Sequence, residues 1–338
     1  MTDAGPIFYD GPANEAGIAG LKKMLCLPDS GTLQDAIKNR ALVSSERPLS
    51  YEELVFDQNI LKKFKIDPGF RVRLGNFDPF YPGNPGLYDK VLPQMLLQLK
   101  KMDHLQSLMH AEKKHSLLVI LQGMDAAGKD GVIRYLLSAM NPAGCRVVPF
   151  KQPTAGELKH DFLWRVHAHA PGRGDVTIFN RSHYEDVLVV RVHELVPRCV
   201  WSTRYDLIND LERLLVEENH TAILKFLLHI SKDEQLVRFK HRLDDPARRW
   251  KISESDYQER EHWEEYARAF EDMLSKTSTH YAPWYVIPSN QKWFRDFLVS
   301  RIITQALEDL NMQFPDPHVD VARIRQRYHA AEVKDSVS

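Results

Sequence analysis

The chain is poor in cysteine. Its 338 residues contain three, Cys26, Cys145 and Cys199, far apart and with no CxxC pair. An odd, scattered set argues against a disulfide framework and reads as free thiols in a reducing compartment. Long apolar runs are missing too. The longest, such as 116–121, are strand-sized, well short of the ~20 residues a membrane span requires. The first ten residues carry acids and no apolar segment, so they do not form a signal peptide. A cytoplasmic location without membrane contact is the expectation. Neither sign of charge is in excess: 45 Lys and Arg against 46 Asp and Glu leave a net charge of −1. The molecule as a whole therefore has no long-range attraction for nucleic acid, and a polyanion site must come from local clustering. HExxH, GxSxG and a catalytic Cys–His signature are absent. His167 and His169, two apart on an expected helix, face different ways, which argues against zinc. Trp284, Tyr285, Trp293 and Phe294 read as core around a strand.

Residues 1–70 are weakly patterned, with short helices expected at Ala13–Leu25 and Ser50–Phe64, and read as an N-terminal extension of unassigned role. Residues 76–86 are rich in Gly, Pro and aromatics and read as a loop. From Leu87 to Lys113 apolar residues recur at helical spacing. Short apolar runs then alternate with amphipathic segments: Ser116–Gln122, Arg146–Phe150, Val176–Asn180, Ala222–Ile230 and Trp284–Pro288. Runs of this kind fit strands buried on both faces of a parallel sheet, and the intervals are long enough for crossover helices. Five such units predict a doubly wound, three-layer α/β domain over 71–315, with ligands beyond the carboxyl ends of the strands. Residues 316–338 read as a C-terminal tail.

Between the first strand and its helix lies Gly123-Met124-Asp125-Ala126-Ala127-Gly128-Lys129-Asp130, a GxxxxGK pattern. Gly123, Ala126, Ala127 and Gly128 are small enough for backbone N–H groups to converge on phosphate oxygens. The helix N-terminus adds its positive dipole end, and Lys129 a mobile charge. The Ser or Thr that usually follows the lysine is Asp130 here. Two carboxylates, Asp125 and Asp130, would repel phosphate unless a divalent cation lies between them and the substrate. The Val176 strand ends in Asn180 where many such enzymes carry a metal-holding Asp. Arg181 follows, expected to clamp phosphate oxygens in the cleft, and Glu185 stands four residues on. Arg238–Lys251, RFKHRLDDPARRWK, places six cations around a hinge-like Asp-Asp-Pro and reads as a lid over about 238–262. Arg134, Lys151 and Arg191 are further cations for a polyanion channel.

Together these stretches resemble the polyphosphate kinase 2 family. GMDAAGKDG (123–131), FKQPT (150–154), HDFLWRVH (160–167), FNRSHYEDVLVVRVH (179–193), HISKDEQ (229–235), RLDDPARRWK (242–251) and APWYVIP (282–288) are similar to its signatures, in order, over roughly 87–315. The resemblance implies a thymidylate-kinase-like P-loop kinase fold with a five-stranded parallel sheet and a helical lid. It implies reversible phosphate transfer between inorganic polyphosphate and AMP, ADP or ATP, dependence on Mg²⁺ (or Mn²⁺), and a homo-oligomer, dimer or tetramer. The form NRSHYEDVLVV resembles members acting on both AMP and ADP. By the same resemblance Asp125, with Asp130, becomes the metal ligand and Lys129 the phosphate clamp. Arg181, Arg242 and Arg249 become phosphate-chain contacts, with Asn180, Glu185 and Arg242 on the nucleotide side. The competing readings are an ATP-dependent nucleoside monophosphate kinase of the same fold and a non-catalytic polyphosphate-binding protein.

Overall fold

Ser116–Gln122 (β1) is buried at every position. Because side chains alternate along a strand, Leu117, Val119 and Leu121 enter one apolar cluster while Leu118 and Ile120 enter another on the opposite face. A strand covered on both sides is what its unbroken apolar run predicts. In the computed structural model, which describes residues 50–56, 59–81 and 86–335, β1 is the centre of a sheet. Its other strands are β2 (Cys145–Pro149), β3 (Val176–Asn180), β4 (Thr221–His229) and β5 (Trp284–Pro288). The five are ordered β2-β3-β1-β4-β5 and every pair is parallel. The first cluster is closed by α1 (Leu87–Glu112), α2 (Lys129–Leu137) and α7 (Lys292–Asp309). The second is closed by α3 (Arg204–Asn219) and α6 (Trp263–Thr277). The three-layer α/β arrangement expected from the sequence is thus present. Between β4 and α6 lie α4 (Lys232–Asp244), the turn Arg249–Lys251 and α5 (Glu254–Glu261), where the lid is expected. The chain ends in α8 (Val321–Asp335).

The helix expected at 13–25 lies outside the described residues. That expected over 50–64 is two short helices, Tyr51–Phe56 and Ile60–Phe64. The boundary expected at residue 70 falls inside packed chain. Ile60, Phe64, Ile66, Val72 and Leu74 are buried. The Ile66 N–H donates to the Trp284 carbonyl at 2.9 Å, that of Val72 to Ser275 Oγ at 2.9 Å and that of Leu74 to Glu271 Oε1 at 2.9 Å. Contacts made about two hundred residues away leave no periodic trace in so short a segment. The packed unit therefore begins before residue 70.

A buried polar circuit ties the second cluster together. The Lys225 ammonium, fully buried on β4, donates to Glu212 Oε2 (2.5 Å), the Thr277 carbonyl (2.6 Å) and Tyr184 Oη (3.0 Å). The Tyr184 hydroxyl in turn donates to Glu212 Oε1 at 2.7 Å. All three lysine protons are used, as burial of a charge demands. Burial opposes ionisation of Glu212, but Lys225 and His183 outweigh it and hold its carboxyl below the usual range. The circuit fastens α3, β4 and α6 to the turn following β3. Lys225→Met should strand the Glu212 charge and cost about 3–5 kcal/mol, whereas Lys225→Met with Glu212→Leu should cost much less. Urea denaturation midpoints measure this, and a single variant as stable as the parent would refute it.

Candidate active site

The β1–α2 loop is shaped by two glycines. Gly123 has φ +147°, and a Cβ there would sit 2.7 Å from the Leu228 carbonyl oxygen. Gly128 has φ +108°, and its Cβ would lie 2.0 Å from Arg295 Nη1. Only glycine fits either place. Ala126 is also left-handed, at φ 61°. The loop opens into α2, and helix N-terminal N–H groups without partners inside the helix are an arrangement that suits an anion. Lys129 folds back on the loop, its ammonium donating to the Gly123 carbonyl at 2.7 Å and that of Met124 at 3.3 Å. Burial, with Arg181 adding to it, holds its pKa down to about 8.

β3 runs beside β1, with Asn180 opposite Leu121, so the two strands deliver their loops side by side. Arg181 has φ 61°, a costly conformation for a side chain of its size. Its N–H donates to the Leu121 carbonyl at 3.1 Å, which anchors the turn to β1. The guanidinium lies between two carboxylates: Nη2 donates to Asp125 Oδ1 at 2.6 Å and Nη1 to Glu185 Oε2 at 3.4 Å. Those charges, Glu185 foremost, hold Arg181 firmly protonated. Glu185 belongs to a one-turn 3₁₀ segment, His183–Asp186, capped by Ser182. Asp130 turns the other way, accepting from Asn180 Nδ2 at 3.1 Å and Lys251 Nζ at 3.2 Å. Burial opposes its charge, yet these two donors hold its carboxyl below the usual range.

Asp125, Lys129, Asp130, Asn180, Arg181 and Glu185 are therefore gathered around two adjacent strand ends. The remaining candidates lie elsewhere. Arg242 faces Asp256 and the Lys251 carbonyl, both at 3.4 Å. Arg249 donates to the Leu243 carbonyl at 2.8 Å, within the lid. Arg191 pairs with Asp272 at 2.7 Å and lies over the Trp201 ring. Arg134 and Lys151 are exposed, the Lys151 carbonyl accepting from Arg165. The lid cation that reaches the loop's own acid is Lys251.

Arg238 departs from the lid reading. Its side chain is buried and serves as a brace, donating to the carbonyls of Ala126 (2.8 Å), Ala127 (2.9 Å) and Ser289, and to Glu234 Oε1 (2.8 Å). Gln235 donates to the Asp125 carbonyl at 2.9 Å. Arg295 lies buried behind Gly128, paired with Asp296. On the lid's return, Asp256 is pushed up by burial, with the Asp125 charge contributing. Tyr266 donates to Glu259 at 2.6 Å, and His193 contacts the same carboxylate. Gln235 and His193 close two of the signature stretches and Arg238 opens the basic segment, but none was assigned this role, and Arg295, Asp256, Glu259 and Tyr266 stand in no motif. The available signal was the helical spacing of Gln235 and Arg238 on the face of α4 turned to the loop. A cleft of about 610 Å³ opens beside Met124, along the ends of β4 and β5 and under Trp263 and Phe270. No sequence-predicted site residue lines it.

A model of one protein family, polyphosphate kinase 2, matches residues 89–315. The chain is 48% identical over 265 residues to an AMP/ADP-polyphosphate phosphotransferase of Meiothermus ruber, covering 78% of this chain and 99% of that protein. It is 43% identical over 271 residues to an ADP-polyphosphate phosphotransferase of Rhodopseudomonas palustris, covering 75% and 92%. Among solved structures, polyphosphate kinase 2 from Arthrobacter aurescens superposes with a TM-score of 0.75 at 37% identity, over 86% of this chain and 100% of that one. With its phosphate loop, the paired strand ends and these matches in hand, the chain belongs to the polyphosphate kinase 2 family.

Proposed function

We propose that this enzyme transfers phosphoryl groups reversibly between inorganic polyphosphate and AMP or ADP, yielding ADP and ATP. The observation that carries the reading is the continuous chain Lys129–loop–Asp125–Arg181–Glu185 across the ends of β1 and β3. It sets cations for a phosphate chain and carboxylates for its counter-ion within one group of contacts. A terminal phosphate oxygen of the acceptor nucleotide attacks the end phosphorus of the chain. The new P–O bond forms as the anhydride bond to the rest of the chain breaks, and the shortened polyphosphate leaves with that electron pair. The nucleophile is already anionic near neutral pH, so alignment and charge neutralisation supply the catalysis. Lys129 exchanges its loop carbonyls for phosphate oxygens, and Arg181 holds the transferring group from the β3 side. Lys251, and the lid arginines Arg242 and Arg249 after closure, cover the chain and exclude water.

The donor set fits Mg²⁺ or Mn²⁺. Among the described residues no three His, Cys, Asp or Glu side chains converge as a closed metal cage. A hard ion of this size keeps several waters and takes one or two carboxylates plus substrate phosphates. Asp125, with Asp130, would hold it, and when bound it would neutralise phosphate charge. Cytoplasmic residence and assembly as a dimer or tetramer go with the same reading.

Mixing AMP, Mg²⁺ and polyphosphate without ATP should give ADP and then ATP on nucleotide separation. Product formed only when ATP is the donor would favour a nucleoside monophosphate kinase instead. Lys129→Ala should lower turnover by about 10²–10³-fold, the scale for one lost charge-stabilising donor, with an unchanged thermal midpoint. The pKa of about 8 sets a second expectation. A lysine with a depressed pKa is charged below that value and neutral above it. The kcat/KM for polyphosphate, which reports the free enzyme, should therefore fall as pH rises through about 8. The kcat should hold to higher pH, because bound phosphate stabilises the ammonium. A kcat/KM flat to well above that pH would count against the clamp. Lys251→Ala should raise the KM for polyphosphate about tenfold, the worth of one charge-assisted contact. Lys240→Ala, exposed and paired with Asp244, should leave it unaltered in the same steady-state assay.

A further inference from the structure

The two stems of the lid meet at one amide. Gln235, near the start of α4, is buried. Its Nε2 donates to the Asp125 carbonyl at 2.9 Å, and its Oε1 accepts from Arg260 Nη1 at 2.9 Å. Arg260 stands in the last turn of α5, the lid's return. The same nitrogen also donates to the Lys232 carbonyl at 2.7 Å, so both Nη1 protons are spent on α4. The guanidinium lies over the Trp263 ring, 5.9 Å from its centre. Its neighbour Glu259 is fastened to the body of the protein, accepting from Tyr266 Oη at 2.6 Å and lying 3.1 Å from His193 Nε2.

An amide has a donor end and an acceptor end of similar size, and by itself Gln235 could offer either to the loop. A guanidinium only donates. Arg260 therefore takes the oxygen and leaves the NH₂ group for Asp125. A carbonyl so held fixes its whole peptide plane. In a trans peptide C=O and N–H point in opposite directions, so with the Asp125 carbonyl directed at α4, the Ala126 N–H is directed away from it. Ala126 is at φ 61°, a conformation kept only where the surroundings impose it. Arg238 engages the next two carbonyls, those of Ala126 and Ala127, from α4 alone. The Asp125 carbonyl is held by an arrangement that needs α4 and α5 together.

We propose that Arg260 is a positioning residue for phosphoryl transfer, acting through Gln235: the Asp125–Ala126 peptide keeps its anion-binding orientation only while the two lid stems are in contact. This rests on the loop being the phosphate site proposed above. It gives the lid a second role. Besides bringing cations over the phosphate chain, the lid sets the loop that the chain binds, and separation of its stems loosens that loop.

Two measurements on the full chain test this: calorimetric titration with tripolyphosphate in Mg²⁺ buffer without nucleotide, and steady-state transfer from polyphosphate to AMP. Arg260→Met should raise the dissociation constant and lower kcat/KM, each about tenfold, the worth of one charge-assisted hydrogen bond. The site is half-buried, so the thermal midpoint should not change. Gln235→Met should lose as much, and the double variant should fall no further than Gln235→Met alone. Gln235→Glu keeps an acceptor for Arg260 but has no donor for the Asp125 carbonyl, so it should match Gln235→Met. Parent-like values for Gln235→Glu would overturn the proposal, because pairing of the stems would then suffice. So would Arg260→Met values equal to the parent's, a result that stands even where the buried Gln235 variants lose stability. Losses that multiply in the double variant would also overturn it, since Arg260 would then act independently of Gln235. A parent that neither binds tripolyphosphate nor forms ADP overturns the loop reading itself, and this inference with it.

Discussion

A loop that is to bind phosphate through backbone N–H groups, as proposed for this one, must keep its carbonyls turned away, and buried Arg238 engages those of Ala126 and Ala127. Its guanidinium spans the Ala126 and Ala127 carbonyls on one side and the Ser289 carbonyl on the other, binding the loop to the end of β5. Burial tends to lower the pKa of this arginine, and Glu234 opposes that shift. Arg295 closes the loop from behind, where the absent side chain of Gly128 leaves room for it. With the carbonyls of residues 126 and 127 so engaged, the loop is preorganised before any anion arrives, and preorganisation is where electrostatic catalysis draws most of its strength.

The second constraint is the conformation of Arg181. Holding a bulky residue at φ 61° costs free energy. The surrounding structure determines it from three directions: the Leu121 carbonyl fixes the backbone, and Asp125 and Glu185 fix the guanidinium. The Lys225–Glu212–Tyr184 circuit lies below the same turn. A buried charge network is weak evidence for stability by itself. Here it joins the turn that presents Glu185 to three regular elements, so the position of that carboxylate depends on it.

How much of this could be read from the sequence depended on how local each determinant is. β1, β3 and β5 match their apolar runs because burial on both faces leaves an unbroken signal. β2 and β4 begin one residue earlier than expected, at Cys145 and Thr221, since ladder pairing and not hydropathy decides where a strand starts. The phosphate loop was legible because its glycines answer to backbone geometry within one turn. Arg238 was not, because a guanidinium that satisfies buried carbonyls and one that faces water have the same letter and the same helical spacing. Asp256, Glu259 and Tyr266 reach the site only because the chain turns back after the lid. Likewise, the packing of residues 60–74 depends on α6 and β5, about two hundred residues away.

The cations assigned to the site share a further property that bears on the proposed binding of two polyanions side by side. Lys129 rests on loop carbonyls, Arg181 on Asp125 and Glu185, Lys251 on Asp130, and Arg242 faces Asp256. Each positive group already has a protein acceptor, so phosphate gains only the difference between that acceptor and its own oxygens. For Lys129, whose partners are neutral carbonyls, the difference is large. For Arg181 it is smaller, because phosphate must compete with two carboxylates. In the proposed reaction binding would thereby be graded: the loop would take the chain first, and Arg181 would shift most fully toward phosphate when charge builds up on the transferring group. The proposal sets that group where β1 and β3 end together, and an interaction that strengthens as the bonds change is one that accelerates a reaction.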